Sequence, residues 1–303
     1  MTDTKSMPLQ FLVFSFNRGD FLKNCVDSII RCVPNSHVTI WDDNSDDALT
    51  LSILDGLAKT CDIRQPAKYE SGEGKLHGGL YKNMQSAIET VSGNPLICTI
   101  QDDMQVVRPL LTDEVLQWHA LYEKNKFNVL LHPGFIKRLK ERITFVPKLN
   151  GYHINRQNRS AGAHYSDIFL TRKDVLLRAN WHFSSNEAVN EQQAREKLSQ
   201  MVYMKNPFVA WLPGVPAWRG RKRTWAMRAA ERKGNCGFYP FEIMDEATAR
   251  QFCERPAKDI PLAESYLTLS DSSLPKPWFY SPLQRRVILR KLNKIELRLT
   301  RSS

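Results

Sequence analysis

Two short apolar runs in this sequence each stop at a pair of aspartates, residues 38–41 at Asp42-Asp43 and residues 96–100, after Gln101, at Asp102-Asp103. Short apolar runs bounded by turn-forming residues predict buried strands. A further run, residues 9–16, gives way to Asn17-Arg18-Gly19-Asp20 and then to Phe21, Leu22, Cys25, Val26, Ile29 and Ile30, which recur at helical spacing. Helical spacing returns over residues 49–58 and 80–91, and Gly93-Asn94-Pro95 closes the second of these before the strand at 96–100. Strand and helix in alternation predict an α/β fold, a mostly parallel sheet with crossover helices. Ligands of such sheets bind outside the carboxyl ends of the strands, so both acidic pairs are expected at one crevice. Adjacent carboxylates there call for a cation or for hydroxyl donors between them. The plainer alternative is that each pair serves only a turn or a helix cap.

Farther along, Thr112-Asp113-Glu114 predicts a helix start with an acidic first turn, and residues 129–131 a strand. Strand-like pieces at 143–146 and 152–154 predict a hairpin. A strand at 168–170, helices at 173–179 and 190–202, and a strand at 208–212 complete the pattern. It weakens after Pro213. The expected organisation is a compact domain over residues 1–215, a basic, proline-containing extension over 216–280 and an amphipathic helix over 281–303.

A chain of 303 residues with 42% hydrophobic content holds enough apolar material for a full core, which excludes disorder as its overall state. Its longest apolar runs stop far short of the roughly 20 residues a spanning helix needs. The polar start, Met1 to Ser6, has no apolar segment of the secretory kind, and a cytoplasmic protein is expected. Cys25, Cys32, Cys61, Cys98, Cys236 and Cys253 form no CxxC pair, and the histidines show no HxH or HExxH spacing. A disulfide scaffold, a zinc module and a histidine-built metal site are therefore not expected.

The formal charge of +11 is concentrated. Arg219, Arg221, Lys222, Arg223, Arg228, Arg232 and Lys233 face only Glu231 within 219–233, and Arg285, Arg286, Arg290, Lys291, Lys294, Arg298 and Arg301 face only Glu296 within 281–303. The rest of the chain is slightly acidic. A nucleic-acid-binding protein would carry its basic residues on one continuous surface, so no nucleic-acid partner is expected.

Phe14-Ser15-Phe16-Asn17-Arg18, Trp41-Asp42-Asp43-Asn44-Ser45, Tyr81-Lys82-Asn83 and Thr99-Ile100-Gln101-Asp102-Asp103 follow one another in an order and spacing that resembles the inverting family-two glycosyltransferases with the GT-A fold. The resemblance is clear over residues 9–110 and fades toward 212. Two departures stand out: the acidic triplet is reduced to Asp102-Asp103-Met104, and Phe16 replaces the more usual tyrosine. The resemblance implies a GT-A-type sheet flanked by helices, here with a C-terminal helical extension. It also implies a donor site in the loop from Phe14 through Phe16, Asn17 and Arg18, with Phe16 and Asp43 on the nucleobase and Asp102 on the ribose. Asp103 would hold a divalent metal, Mn2+ or Mg2+, and Lys82 would lie near the nucleotide, although it also suits a solvated helix face. The donor would be a nucleotide-sugar, a UDP-sugar, and the acceptor a hydroxyl of a glycan or lipid-linked glycan in bacterial-type surface polysaccharide synthesis.

Such a reaction needs a base for the acceptor hydroxyl. In the family it stands at the start of a helix after the acceptor-side strand, where this chain has Asn190-Glu191-Gln192-Gln193. Glu191 is the candidate, with Asp167 and Glu187 as substitutes; Glu191 could also simply favour the positive end of a helix. Drawn as a helix, residues 283–301 place Ile288, Leu292, Ile295 and Leu299 opposite Arg286, Arg290, Lys294, Arg298 and Arg301. Such a helix lies on an anionic membrane, here the inner face of the plasma membrane, or else packs its apolar face on the domain. Arg221, Lys222 and Arg223, beside Trp218 and Trp225, are candidates for a loop closing over the pyrophosphate, the alternative being a solvated basic helix. A sugar-phosphate nucleotidyltransferase, the rival enzyme, would open with a glycine-rich phosphate loop, whereas residues 14–20 contain only Gly19.

Overall fold

The computed structural model describes residues 9–66, 79–125, 128–138, 142–155, 162–217 and 223–299. In its first part β1 (Leu9–Ser15), α1 (Gly19–Cys32), β2 (His37–Asp42), α2 (Ala48–Leu57), β3 (Asp62–Arg64), α3 (Leu80–Thr90) and β4 (Leu96–Gln101) alternate. The apolar stripe of α1, Leu22, Cys25, Val26 and Ile29, is buried in the main core. Gly19 lets α1 begin hard against α2: a Cβ there would stand 2.8 Å from the Ile53 side chain and 3.1 Å from the Thr50 backbone.

The chain continues through β5 (Met104–Val106), α4 (Thr112–Asn125), β6 (Leu131–His132) and the hairpin of β7 (Arg142–Val146) and β8 (Gly151–Asn155). Then come β9 (Leu170–Arg172), α5 (Lys173–Arg178), α6 (Glu187–Lys197), β10 (Val202–Met204) and β11 (Val209–Trp211). Among the described residues nine strands form one sheet in the order β3-β2-β1-β4-β9-β6-β10-β8-β7, while β5 pairs with β11 apart from it. β3, β2, β1 and β4 are parallel neighbours, as are β6 and β10, and β9 runs antiparallel between β4 and β6. This reversal places the residues entering β9 at the same end of the sheet as those leaving β4. The Thr99 hydroxyl accordingly donates to the Asp167 carbonyl at 3.0 Å.

Some segments differ from their sequence reading. The strand expected at 168–170 begins only at Leu170. The helix expected over 190–202 ends at Lys197, Leu198 is extended (φ −122°, ψ 157°), and Val202-Tyr203-Met204 is a buried strand. The apolar residues there fit a helical stripe by spacing, but β6 and β8 flank them as strand partners, and tertiary pairing overrides local preference. β5, directly after Asp103, has no counterpart in the spacing.

A second apolar cluster joins Val107, Phe135, Ala210 and Leu212 to Tyr239, Phe241, Phe252, Leu267 and Trp278, so residues on both sides of position 215 share a core. The last part of the chain holds α7 (Trp225–Gly234), α8 (Glu246–Glu254), α9 (Ala263–Tyr266) and α10 (Val287–Leu299). α10 meets α7 through polar contacts: the Thr224 hydroxyl donates to Asn293 Oδ1 at 2.6 Å and the Ala226 N–H to Glu296 Oε2 at 3.1 Å. On its apolar face Ile288 is 75% exposed and Leu299 66%, whereas Leu292 is 37% exposed. No helix among the described residues is long and apolar enough to cross a membrane.

Candidate active site

The acidic pairs meet at the end of β1. The Asp43 N–H donates to the Ser15 carbonyl at 2.9 Å and the Asp102 N–H to the Phe14 carbonyl at 3.0 Å. The Phe16 N–H donates in turn to Asp102 Oδ2 at 3.1 Å. Neighbouring residues of one strand thus carry both pairs, as the parallel register of β2, β1 and β4 requires.

Within each pair the two carboxylates do different work. Asp42 is fully buried and accepts from the Ser45 N–H (2.8 Å), the Ser45 hydroxyl (2.6 Å) and the Gln65 amide (3.2 Å), which fixes the turn after β2. Asp43 is half-buried and accepts from the Gly79 N–H at 2.6 Å and the Asn83 amide at 3.2 Å, at the start of α3. Its charge lies at the positive end of that helix.

Asn17 and Asn44 have left-handed backbone (φ 47° and 58°), a conformation asparagine tolerates better than most residues. Asn17 is buried, and its side chain pins the β1 loop to the β2 loop: its amide donates to Asp46 Oδ1 at 2.6 Å and its carbonyl accepts from the Asp46 N–H at 2.9 Å. Phe14, 5% exposed, belongs to the core and supports the cleft from beneath. Phe16 is half-buried beside Asp102, and Lys82 is exposed on the first turn of α3.

Arg18 ties the second pair together. Its Nη1 stands 3.3 Å from Asp102 Oδ1 and 2.8 Å from Asp103 Oδ2, and its Nη2 donates to the Pro216 carbonyl at 3.1 Å. Burial works against the guanidinium charge, but the pull of Asp102 and Asp103 outweighs it and raises the pKa above its ordinary value. Among the described residues no group of histidine, cysteine and carboxylate side chains forms a ready metal cage. The donor set nevertheless fits a hard divalent ion. Two adjacent carboxylates already hold one positive charge between them, and Mg2+-like ions are commonly bound by one or two carboxylates together with substrate phosphate oxygens.

Across β4, the Tyr81 hydroxyl of α3 donates to Asp167 Oδ1 at 3.1 Å. Burial, and then the Asp167 charge, push both the Tyr81 and the Tyr165 phenols well above their ordinary range, so they stay protonated donors. Glu187 bears on the same two phenols and lies exposed at the start of α6.

Glu191 is differently placed. It is 1% exposed, and its Oε2 accepts from the N–H groups of Gly162 (3.1 Å), Ala163 (3.3 Å), His164 (3.1 Å) and Tyr165 (2.9 Å), while Arg195 stands 2.8 Å from Oε1. The carboxylate gathers the 162–165 loop instead of facing a cleft. Of the residues expected to close over a pyrophosphate, Trp218, Arg221 and Lys222 lie outside the described residues, and Arg223 pairs with Glu231.

A cavity that sequence reasoning missed opens beside Ser166, the residue before Asp167. It measures about 350 Å3 and is lined by Ser166 and Glu187, by His132, Tyr203 and Trp211 of β6, β10 and β11, by Lys137 and Arg138, and by Tyr280 and Gln284 from the far end of the chain. His132 stacks on Tyr203 with ring centroids 4.2 Å apart. The cavity is assembled from segments distant in sequence, which leaves no local signal for it.

A family profile described as "Glycosyl transferase family 2" matches residues 11–176. Curated proteins give no match to the sequence. Among solved structures, residues 1–349 of S. aureus TarS align at 14% identity and TM-score 0.46, covering 68% of this chain and 60% of that one. The same TarS fragment in complex with UDP aligns at 15% identity and TM-score 0.45, covering 82% and 70%. The mannosyltransferase PcManGT from Pyrobaculum calidifontis, in complex with GDP-Man and Mn2+, aligns at 15% and 0.43, covering 74% and 60%. This chain therefore spans less than two thirds of the first of these structures.

Proposed function

Because the chain belongs to glycosyl transferase family 2, we propose that it transfers a sugar, with inversion, from a UDP-sugar to a hydroxyl of a glycan or lipid-linked glycan in bacterial-type surface polysaccharide synthesis. The observation that supports this reading best is the convergence of Asp43, Asp102, Asp103 and Arg18 on the end of β1. The nucleobase lies against Phe16 with its imino group donating to Asp43, and the ribose hydroxyls donate to Asp102. Asp103, with Asp102 beside it, would hold a divalent ion, which when bound would supply Lewis-acid stabilisation to the departing diphosphate. Arg18 keeps both carboxylates aimed and adds fixed positive charge where the leaving group's negative charge grows.

Asp167 is the base in this reading. The acceptor oxygen attacks the anomeric carbon as its proton passes to the Asp167 carboxylate, and the bond from that carbon to the diphosphate oxygen breaks with the electron pair leaving on the diphosphate. A single displacement of this kind inverts the centre. Tyr81 orients the base by its hydrogen bond to Oδ1. Glu191 positions the loop that leads into Asp167.

α10 supports attachment to an anionic membrane at the inner face of the plasma membrane, since its exposed Ile288, Ile295 and Leu299 lie among Arg290, Lys291, Lys294 and Arg298. The whole reading is tested by heating the protein with nucleoside diphosphates, with and without Mn2+ or Mg2+. A ligand at about 100 times its dissociation constant adds about 2.7 kcal/mol of stability. UDP with metal should raise the unfolding temperature, and the absence of a shift with every diphosphate would contradict the proposal.

A further inference from the structure

The cavity beside Ser166 is unevenly furnished, and the unevenness describes its ligand. The Tyr280 hydroxyl and the Gln284 Nε2 are both shielded from solvent and have no hydrogen-bond partner among the described residues. Gln284 Oε1 already accepts the Tyr280 N–H at 2.9 Å, so the end of its amide left to a ligand is a donor. Lys137 and Arg138 line the same space, with the Lys137 ammonium 3.4 Å from the Trp211 ring centroid. Among the described lining residues the one carboxylate is Glu187, which bears on Tyr81, while Glu264 bears on Tyr280 from outside the lining.

Buried donors without partners cost free energy until something accepts from them. A ligand that completes this wall must be rich in acceptors and negatively charged. His132, stacked on Tyr203 beside Trp211, lines the same cavity and adds aromatic surface of the kind that packs against a sugar ring. The volume of about 350 Å3 is at the small end for ligand sites and suits one or two rings.

We propose that this cavity recognises an anionic sugar unit of the acceptor, one carrying a carboxylate or a phosphate ester, with its charge held by Lys137, Arg138, Tyr280 and Gln284. The assignment to the acceptor rests on the glycosyl-transfer reading; the ligand chemistry rests on the cavity alone. Calorimetric titration of the full chain with glucuronic acid, glucose 6-phosphate and glucose tests it. At least one anionic sugar should bind about tenfold or more tightly than glucose, as charge-assisted bonds are the stronger kind, and which one binds tells carboxylate from phosphate. Replacing both Lys137→Ala and Arg138→Ala should abolish the preference, and Tyr280→Phe, which removes a single oxygen, should reduce it. Equal binding of glucose, no binding of either anionic sugar, or a preference that survives in the variants would overturn the proposal. UDP titration of the same proteins separates the two readings, because the donor side should be indifferent to these substitutions.

Discussion

On the donor side of the cleft, Asp43 and Asp102 hang by their own backbone from adjacent residues of β1, and Arg18, a few residues on, braces Asp102 and Asp103. On the acceptor side the described tie between the Asp167 backbone and the sheet is made by a side chain, the Thr99 hydroxyl. Asp167 enters from an antiparallel strand, its loop is gathered by a glutamate on α6, and the cavity beside that loop is closed by Tyr280 and Gln284. The first arrangement is held by sheet register and survives any change that leaves the strands paired. The second is held by side chains reaching across the fold, so single substitutions should disturb it more. A rigid donor half beside a half assembled from distant parts also lets one half keep its ligand while the other changes.

The largest effect should come from Asp167→Asn, which keeps the shape and removes the base. Turnover should fall by about 10² to 10⁴-fold, the usual worth of general base catalysis, while UDP affinity stays at the parent level. Near-normal turnover would pass the role to Glu187 or Glu191. Next, Glu191→Ala strips the 162–165 N–H groups and Arg195 of a buried partner, a loss expected to cost about 3–5 kcal/mol in urea unfolding. Normal stability with lost turnover would instead mark Glu191 as the base.

Acidification should separate the halves more gently. Burial holds His164, and likewise His119 and His153, below the ordinary imidazole value of 6.5. A histidine whose folded pKa is depressed contributes stability that is complete above the unfolded value and is lost as pH falls through it toward the folded value. The unfolding midpoint should therefore drop between about pH 7.5 and about pH 5.5, and less steeply in His164→Gln. None of the donor-side residues named above is a histidine, so affinity for uridine, a ligand that does not itself ionise over that range, should stay level. A midpoint that rises on acidification would contradict the assignment of these buried imidazoles.

The donor half was legible in the sequence for the reason that makes it rigid. A buried strand writes itself as an apolar run, and the residue at its carboxyl end is then placed by the sheet, so Asp43 and Asp102 could be brought together without coordinates. Which member of the first pair is buried could not, because that depends on the Gln65 and Ser45 contacts around Asp42. Glu191 shows the opposite case. An acidic residue in a predicted helix is visible in sequence, although the helix starts at Glu187 and puts Glu191 in its second turn. Backbone N–H groups folding onto it from a separate loop leave no mark on its neighbours. Tyr81 as the partner of Asp167, and Tyr280 and Gln284 in the cavity, are illegible for the same reason.

The most direct measurement is a calorimetric titration of UDP, in the presence of Mn2+, into the parent protein and into Asp43→Asn and Asp103→Asn. Binding by the parent, weakened about 10- to 100-fold in each variant as lost hydrogen bonds to charged groups imply, is the result this account requires. Equal affinity in all three proteins would mean that the acidic groups at the end of β1 do not hold the donor.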